Sequence, residues 1–203
     1  VSSAASDVYK RQGLNEEPNT PIIAMVSRLV SHKGLDLLRE VMGDIMELPA
    51  QFVVLGSGDA GYEEFFRRTA ERYPGRMAVR LGYNEALSMA IYAGADLFLM
   101  PSRSEPCGLS QMISMRYGTV PIVRETGGLK DSIRDSGDGY GNGFTFAGYS
   151  AHELYDACCR AQDRYYSKED WHNLVKYDME CDFSWDVSAK SYEGLYNETA
   201  NLW

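Results

Sequence analysis

Six short apolar runs punctuate the chain: "PIIAMVS" from Pro21, "AQFVVLG" from Ala50, "RMAVRLG" from Arg76, "ADLFLMPS" from Ala95, "TVPIVRE" from Thr119 and "GNGFTFAG" from Gly141. Apolar runs of this length, without polar alternation, are the pattern of strands buried on both faces. The stretches between them have helical spacing. After Gly34, residues Leu35, Leu38, Val41, Met42 and Ile45 share one face. "YEEFFRRTAERY" is a second helix, Asn84 is placed to cap "NEALSMAIYAG", Gly118 to close "GLSQMISMRYG", and "GGLKDSI" starts another. Three helical stretches end the chain: Ala151–Tyr166, Lys168–Met179, and Trp185 to about Asn201. Strands alternating with helices predict an α/β fold, a parallel sheet with helices on both faces joined by right-handed crossovers. No internal repeat is visible.

Composition narrows the function classes. The chain is 44% hydrophobic and 12% aromatic, which supports a packed core. Its net charge is −9, with no basic run and no aromatic-plus-basic ribbon, so nucleic acid is not an expected partner. Net charge leaves a local basic pocket open. No apolar run approaches the about 18 residues of a membrane span, and no signal-peptide core is present, so a soluble cytoplasmic protein is expected. Cys107, Cys158, Cys159 and Cys181 form no C-x-x-C pair, and His32, His152 and His172 are not at ligand spacing with them, so no metal site is expected. Cys158 and Cys159 read as buried thiols of a helix, and Cys107 as a small packed thiol. The opening "VSSAASDVYKRQ" has no apolar period and resembles translated adaptor or vector sequence. Residues 1–12 are therefore expected to be a non-native or disordered leader.

In a parallel sheet, ligands sit beyond the carboxyl ends of the strands, near the switch in strand order. The segments that fall there are "RLVSHKG", "GSGDAG", "YN", "PSRSEPCG" and "ETGG". Arg28 and Lys33 suit a diphosphate, since Arg holds two oxygens at once and Lys supplies a point charge. They suit equally well the role of ordinary surface cations. Gly56, Gly58 and Gly61 have the G-x-G-x-x-G spacing of a dinucleotide fingerprint. They follow the second run, though, and no acid ends the next run about 20 residues on, as ribose binding to NAD requires. The alternative is a tight turn that lets something approach the backbone closely. In "PSRSEPCGLSQ", Glu105 lies just before a helix expected to begin at Gly108 or Leu109, and can be a dipole partner or a ligand for sugar hydroxyls. The amides of Gly108, Leu109 and Ser110 can receive phosphate, and Thr126, Gly127 and Gly128 make a similar, weaker turn. Tyr83, at a strand end, can stack on a base or simply pack.

Taken in order, "VSRLVSHKGLDLL", "LGSGD", "GYNEA", "PSRSEPCGLSQMISMRYGTVPIVRETGGLKDSI" and "DFSWDVSAKSYEGLY" resemble the bacterial glycogen synthases, the ADP-glucose-using starch/glycogen synthase family. The likeness runs from about Gly13 to the end, and the block from Pro101 to Ile133 is its most specific part. It implies the C-terminal half of a two-domain glycosyltransferase B fold, with a cleft between two Rossmann-like domains. Residues 13–183 would be the donor-nucleotide domain, and residues 184–203 a helix crossing to the other domain.

The resemblance also implies roles. Arg28 and Lys33 would bind the donor diphosphate and stabilise the leaving ADP. Glu105 would face the glucose hydroxyls, and Tyr83 would stack on adenine. Cys107, Gly108, Leu109 and Ser110 would line the glucose and phosphate pocket, and Gly56 and Gly58 would let the nucleotide lie against the backbone. Beyond the substrate nucleotide, ADP-glucose or ADP, no cofactor is implied. The partner would be an α-glucan acceptor, reached through an N-terminal domain whose lysine-glycine-glycine donor loop is not in this sequence. The position at which related transferases carry a second Glu is Ile113, which fits the glycogen synthase branch. The expected function is donor binding for retaining α-1,4-glucan synthesis, with little or no transfer by this piece alone. A non-catalytic nucleotide- or glucan-binding module is the alternative.

Overall fold

A computed structural model of the chain describes residues 13–200. The expected leader, residues 1–12, and residues 201–203 lie outside the described part. The elements are β1 (Ile22–Val26), α1 (Leu35–Glu47), β2 (Gln51–Gly56), α2 (Ala60–Arg72), β3 (Met77–Leu81), α3 (Glu85–Gly94), β4 (Leu97–Met100), α4 (Ser110–Arg116), β5 (Val120–Arg124), α5 (Gly127–Ser132), β6 (Phe144–Phe146), α6 (Ala151–Tyr166), α7 (Lys168–Glu180) and α8 (Trp185–Ala200). A short 3-10 helix, Ser31–Lys33, precedes α1 and was not anticipated. Asn84 caps α3 as expected, its side chain accepting from the Leu87 N–H at 2.9 Å. Gly118 follows α4 at φ +81°. α4 starts at Ser110, later than the sequence suggested.

All strand pairs are parallel, in the order β3-β2-β1-β4-β5-β6. The chain builds outward from β1 on one side, then returns to pair β4 against the other side of β1. The strand order reverses there, and the crevice of a doubly wound sheet opens above that point.

Alternate residues of each strand enter different cores, which explains the uninterrupted apolar runs. Ile23, Met25, Phe52 and Val54 pack with α1 and α6 around Leu38, Ile45, Leu154 and Cys158. Ile22, Ala24, Val53 and Leu55 face the other layer with Ile91, Tyr92 and Phe98. Cys158 is fully buried, and burial pushes its thiol up to about 12. Cys159 is only half-buried, a correction to the paired-burial expectation. His152 and His172 are exposed, as their polar surroundings suggested. No described helix is long and apolar enough to cross a membrane.

One buried carboxyl works against this packing. Asp178 in α7 is 1% exposed, and neither carboxylate oxygen has a hydrogen-bond partner among the described residues. Burial alone raises its pKa to about 9. The folded state therefore holds a proton that the unfolded chain releases near the usual carboxylate range, so stability falls as pH rises from about 4 towards 9. Asp178→Asn removes that titration. Between pH 5 and pH 8 its unfolding free energy should rise relative to the native chain by on the order of 4 kcal/mol, read from urea unfolding at each pH.

Candidate active site

Two adjoining cavities open above the β1/β4 switch. The outer one, about 330 Å³, is lined by Arg28, Gly56, Gly82, Tyr83, Tyr92 and Ser110 among others. The inner one, about 190 Å³, is lined by Arg28, Lys33, Ser102 and Ser110 among others. Val26, Ser27, Arg28 and Ser110 belong to both, so the two form one crevice. It collects residues from the loops after β1, β2, β3 and β4, which meet only because those strands are neighbours.

Lys33, on the wall of the inner cavity, pairs with Glu105. The Lys33 ammonium donates to Glu105 Oε2 at 2.5 Å, with the two side chains 16% and 12% exposed. The same oxygen accepts from Ser102 Oγ at 3.2 Å. At this depth, removing either partner leaves a poorly solvated charge uncompensated.

Backbone contacts hold the two loops in register. The Arg103 N–H donates to the His32 carbonyl at 2.9 Å. Arg124, at the end of β5, donates from Nη1 to the Ser102 and Arg103 carbonyls at 3.4 and 2.9 Å. The Arg103 guanidinium stacks 4.4 Å over the Tyr149 ring and lies 3.3 Å from the Asp36 carboxylate, which also accepts from the Tyr149 hydroxyl.

Gly34 makes one of the closest crossings. Its φ is +74°, and a Cβ there would lie 1.9 Å from the Pro101 carbonyl oxygen. Gly56 and Gly58 have the same cause: a Cβ would lie 1.9 Å from the Ser27 carbonyl and 2.3 Å from the Leu29 carbonyl. The close approach that their spacing foretold is made first by this chain's own β1 loop. Gly127 and Gly128 likewise receive the Glu105 and Cys107 carbonyls, where a Cβ would lie at 2.2 and 1.9 Å. The "ETGG" turn therefore seats the Glu105 loop.

The crevice thus brings together Arg28, Lys33, Gly56, Tyr83 and Ser110, with Glu105 attached through Lys33. Gly58 lies beneath it, bridged to Leu29. Cys107 and Gly108 do not line either cavity, and Cys107 is exposed, contrary to the packed thiol expected. Leu109, 64% exposed, borders a separate groove with Arg116 and Phe183. Three contributors escaped sequence reasoning. Ser102 sits three residues before Glu105 in the very loop that was singled out. Arg124 ends an apolar run, the position that rule marks for inspection. Tyr92 read as core, and burial does push its phenol above the usual range, partly offset by a hydrogen bond with Ser110. No cluster of metal-ligating side chains occurs among the described residues.

Comparison with known proteins fits this geometry. A family model described as glycosyl transferases group 1 matches residues 9–173. The chain belongs to the group 1 glycosyl transferases. This transferase chain is 55% identical over 185 residues to a glycogen synthase of Desulfitobacterium hafniense, covering 90% of the chain and 39% of that relative. It is 51% identical over 186 residues to a glycogen synthase of Bacillus anthracis, again covering 39% of that relative. It therefore spans about two fifths of their length. The catalytic domain of starch synthase IV from Arabidopsis thaliana, solved bound to ADP and acarbose, superposes at TM-score 0.87 with 39% identity, covering 98% of this chain and 42% of that one. A sucrose-phosphate synthase of Thermosynechococcus elongatus shares the fold at TM-score 0.67 and 20% identity. The sheet and its helices match glycosyltransferase B structures.

Gly34→Ala should cost at least about 2 kcal/mol of stability, because it combines a positive φ with a backbone collision. Gly43→Ala, inside α1 with nothing near its added Cβ, should instead gain about 0.5–1 kcal/mol. Denaturant unfolding of the pair checks both signs.

Proposed function

We propose that this chain is the donor-binding half of a retaining α-1,4-glucan synthase that transfers glucose from ADP-glucose to a glucan. The single observation that carries the reading is the shared crevice, in which Arg28 and a Glu105-paired Lys33 meet at the sheet's switch point beneath an exposed tyrosine. The ADP-bound starch synthase similar to this chain along 98% of its length supports the choice of nucleotide.

Transfer from a sugar nucleotide separates an anionic diphosphate from a cation-like sugar. Fixed cations act where that negative charge develops, each contributing on the order of 3 kcal/mol. Arg28 and Lys33 take this role, with the Ser110 edge of the crevice beside them. Glu105, oriented by Lys33 and Ser102, accepts from glucose hydroxyls. Tyr83, 81% exposed at the outer rim, covers the adenine. Gly56 and Gly58 keep the floor thin enough for the nucleotide to lie close, and the Cys107–Leu109 backbone borders the sugar. The acceptor attacks on the face the diphosphate leaves, and the leaving phosphate takes its proton, which retains configuration. The glucan is held by a further domain, to which α8 crosses, and the enzyme works in the cytoplasm.

ADP titrated calorimetrically into the chain should bind saturably, and Lys33→Ala or Arg28→Ala should weaken it at least tenfold. NAD should not compete, and tighter binding of NAD than ADP defeats the assignment. In a full-length enzyme containing this half, Glu105→Ala should cut transfer at least a hundredfold, in line with loss of one charge-stabilising contact. Normal transfer would strip Glu105 of its role. ADP binding by the chain, with no transfer by that full-length enzyme, would favour a binding module.

A further inference from the structure

A second cavity, about 410 Å³, lies far from the crevice and is lined by Ser136, Tyr140, Arg164, Asp170, Asn173 and Tyr177 among others. Its position follows from topology. The segment between α5 and β6 returns to the amino end of a parallel strand, whereas the crevice sits at the carboxyl ends. Asp170, Asn173 and Tyr177 are three, four and seven residues apart on α7, so they share one face of that helix.

The cavity is prepared on each side. The Tyr140 N–H donates to Asp138 Oδ1 at 3.0 Å, and Asp138 is paired with Arg134 at 2.8 Å, so the residue is held while 77% of it stays exposed. Tyr177 is 51% exposed across from it on the helix. Ser136 is 2% exposed, and its Oγ has no hydrogen-bond partner among the described residues. Arg164 donates to the Ser136 carbonyl at 3.1 Å and lies 4.0 Å from the Asp170 carboxylate.

This lining selects a chemical class. One cation and one carboxylate cancel, and Asp170 would repel a phosphate. What remains is two exposed aromatic faces with donors and acceptors of both kinds around them. A neutral polyhydroxylated ring fits that combination, since its C–H faces cover the tyrosines and its hydroxyls bond to the rim. We propose that this cavity is a second saccharide site that holds a stretch of α-1,4-glucan away from the transfer crevice. The choice of glucan among saccharides rests on the function proposed above.

Maltoheptaose titrated into the 203-residue chain, followed by calorimetry, tests the assignment, with ADP as a parallel ligand. Saturable binding is expected, weakened at least fivefold by Tyr140→Ala and by Tyr177→Ala, with ADP affinity unchanged. Both side chains are exposed, so neither substitution should disturb folding, and unchanged thermal midpoints would verify this. Absence of maltoheptaose binding, binding indifferent to both substitutions, or competition by ADP each overturns the proposal. Loss of ADP binding alone overturns the donor reading and leaves this site standing.

Discussion

The loop after β1 and the loop after β4 press together backbone to backbone, and the rest of the site depends on that contact. Gly34 admits the Pro101 carbonyl, the His32 carbonyl receives the Arg103 N–H, and only then do Lys33 and Glu105 reach each other. Side chains at this spot refine a geometry that the main chain has already set. Gly56, Gly58, Gly127 and Gly128 repeat the arrangement at neighbouring loops, each vacating the space of a Cβ so that a carbonyl from another segment can enter. The glycine-rich appearance of the sequence thus records mainly contacts within the protein.

The electrostatics follow from depth. A surface ion pair would contribute little, but Lys33 and Glu105 are both mostly buried, and their 2.5 Å contact is supported by Ser102. The pair fixes the rotamer of each partner while leaving Lys33 at the inner cavity wall. Arg28 is exposed in the same crevice, a cation beside the Lys33–Glu105 pair in a molecule whose net charge is −9. Asp178 is the opposite case, a carboxyl buried without a partner that is held neutral by its surroundings.

Strands and helices were legible because period and length are local properties. The run at Ile22 and the stripe from Leu35 carry their own signal, and Asn84 and Gly118 mark the boundaries of α3 and α4 chemically. Arg28, Lys33 and Glu105 were legible as residues following strands, and the likeness to glycogen synthases gave them roles. The partnership of Lys33 with Glu105 is a long-range event that no local pattern encodes. The same holds for Arg124, which reaches back to the Ser102 carbonyl, and for Tyr92, whose apolar spacing concealed a hydroxyl facing Ser110. Cys107, expected as a packed thiol, is exposed for a related reason. A loop's outward and inward positions depend on what it rests upon, here Gly127 and Gly128.

The strand order has a consequence for how the molecule holds together. β1 to β3 carry Arg28, Gly56 and Tyr83, while β4 to β6 carry Glu105 and Ser110; within the sheet the two sets join through the short β1–β4 pairing at Ile23 and Ala24, and one core shared with α1 and α6 backs them both. The crevice straddles this junction. A nucleotide seated there would act as a rivet between two halves, adding its binding free energy to their cohesion. Donor affinity would therefore appear a second time, as added resistance to splitting along the middle of the sheet.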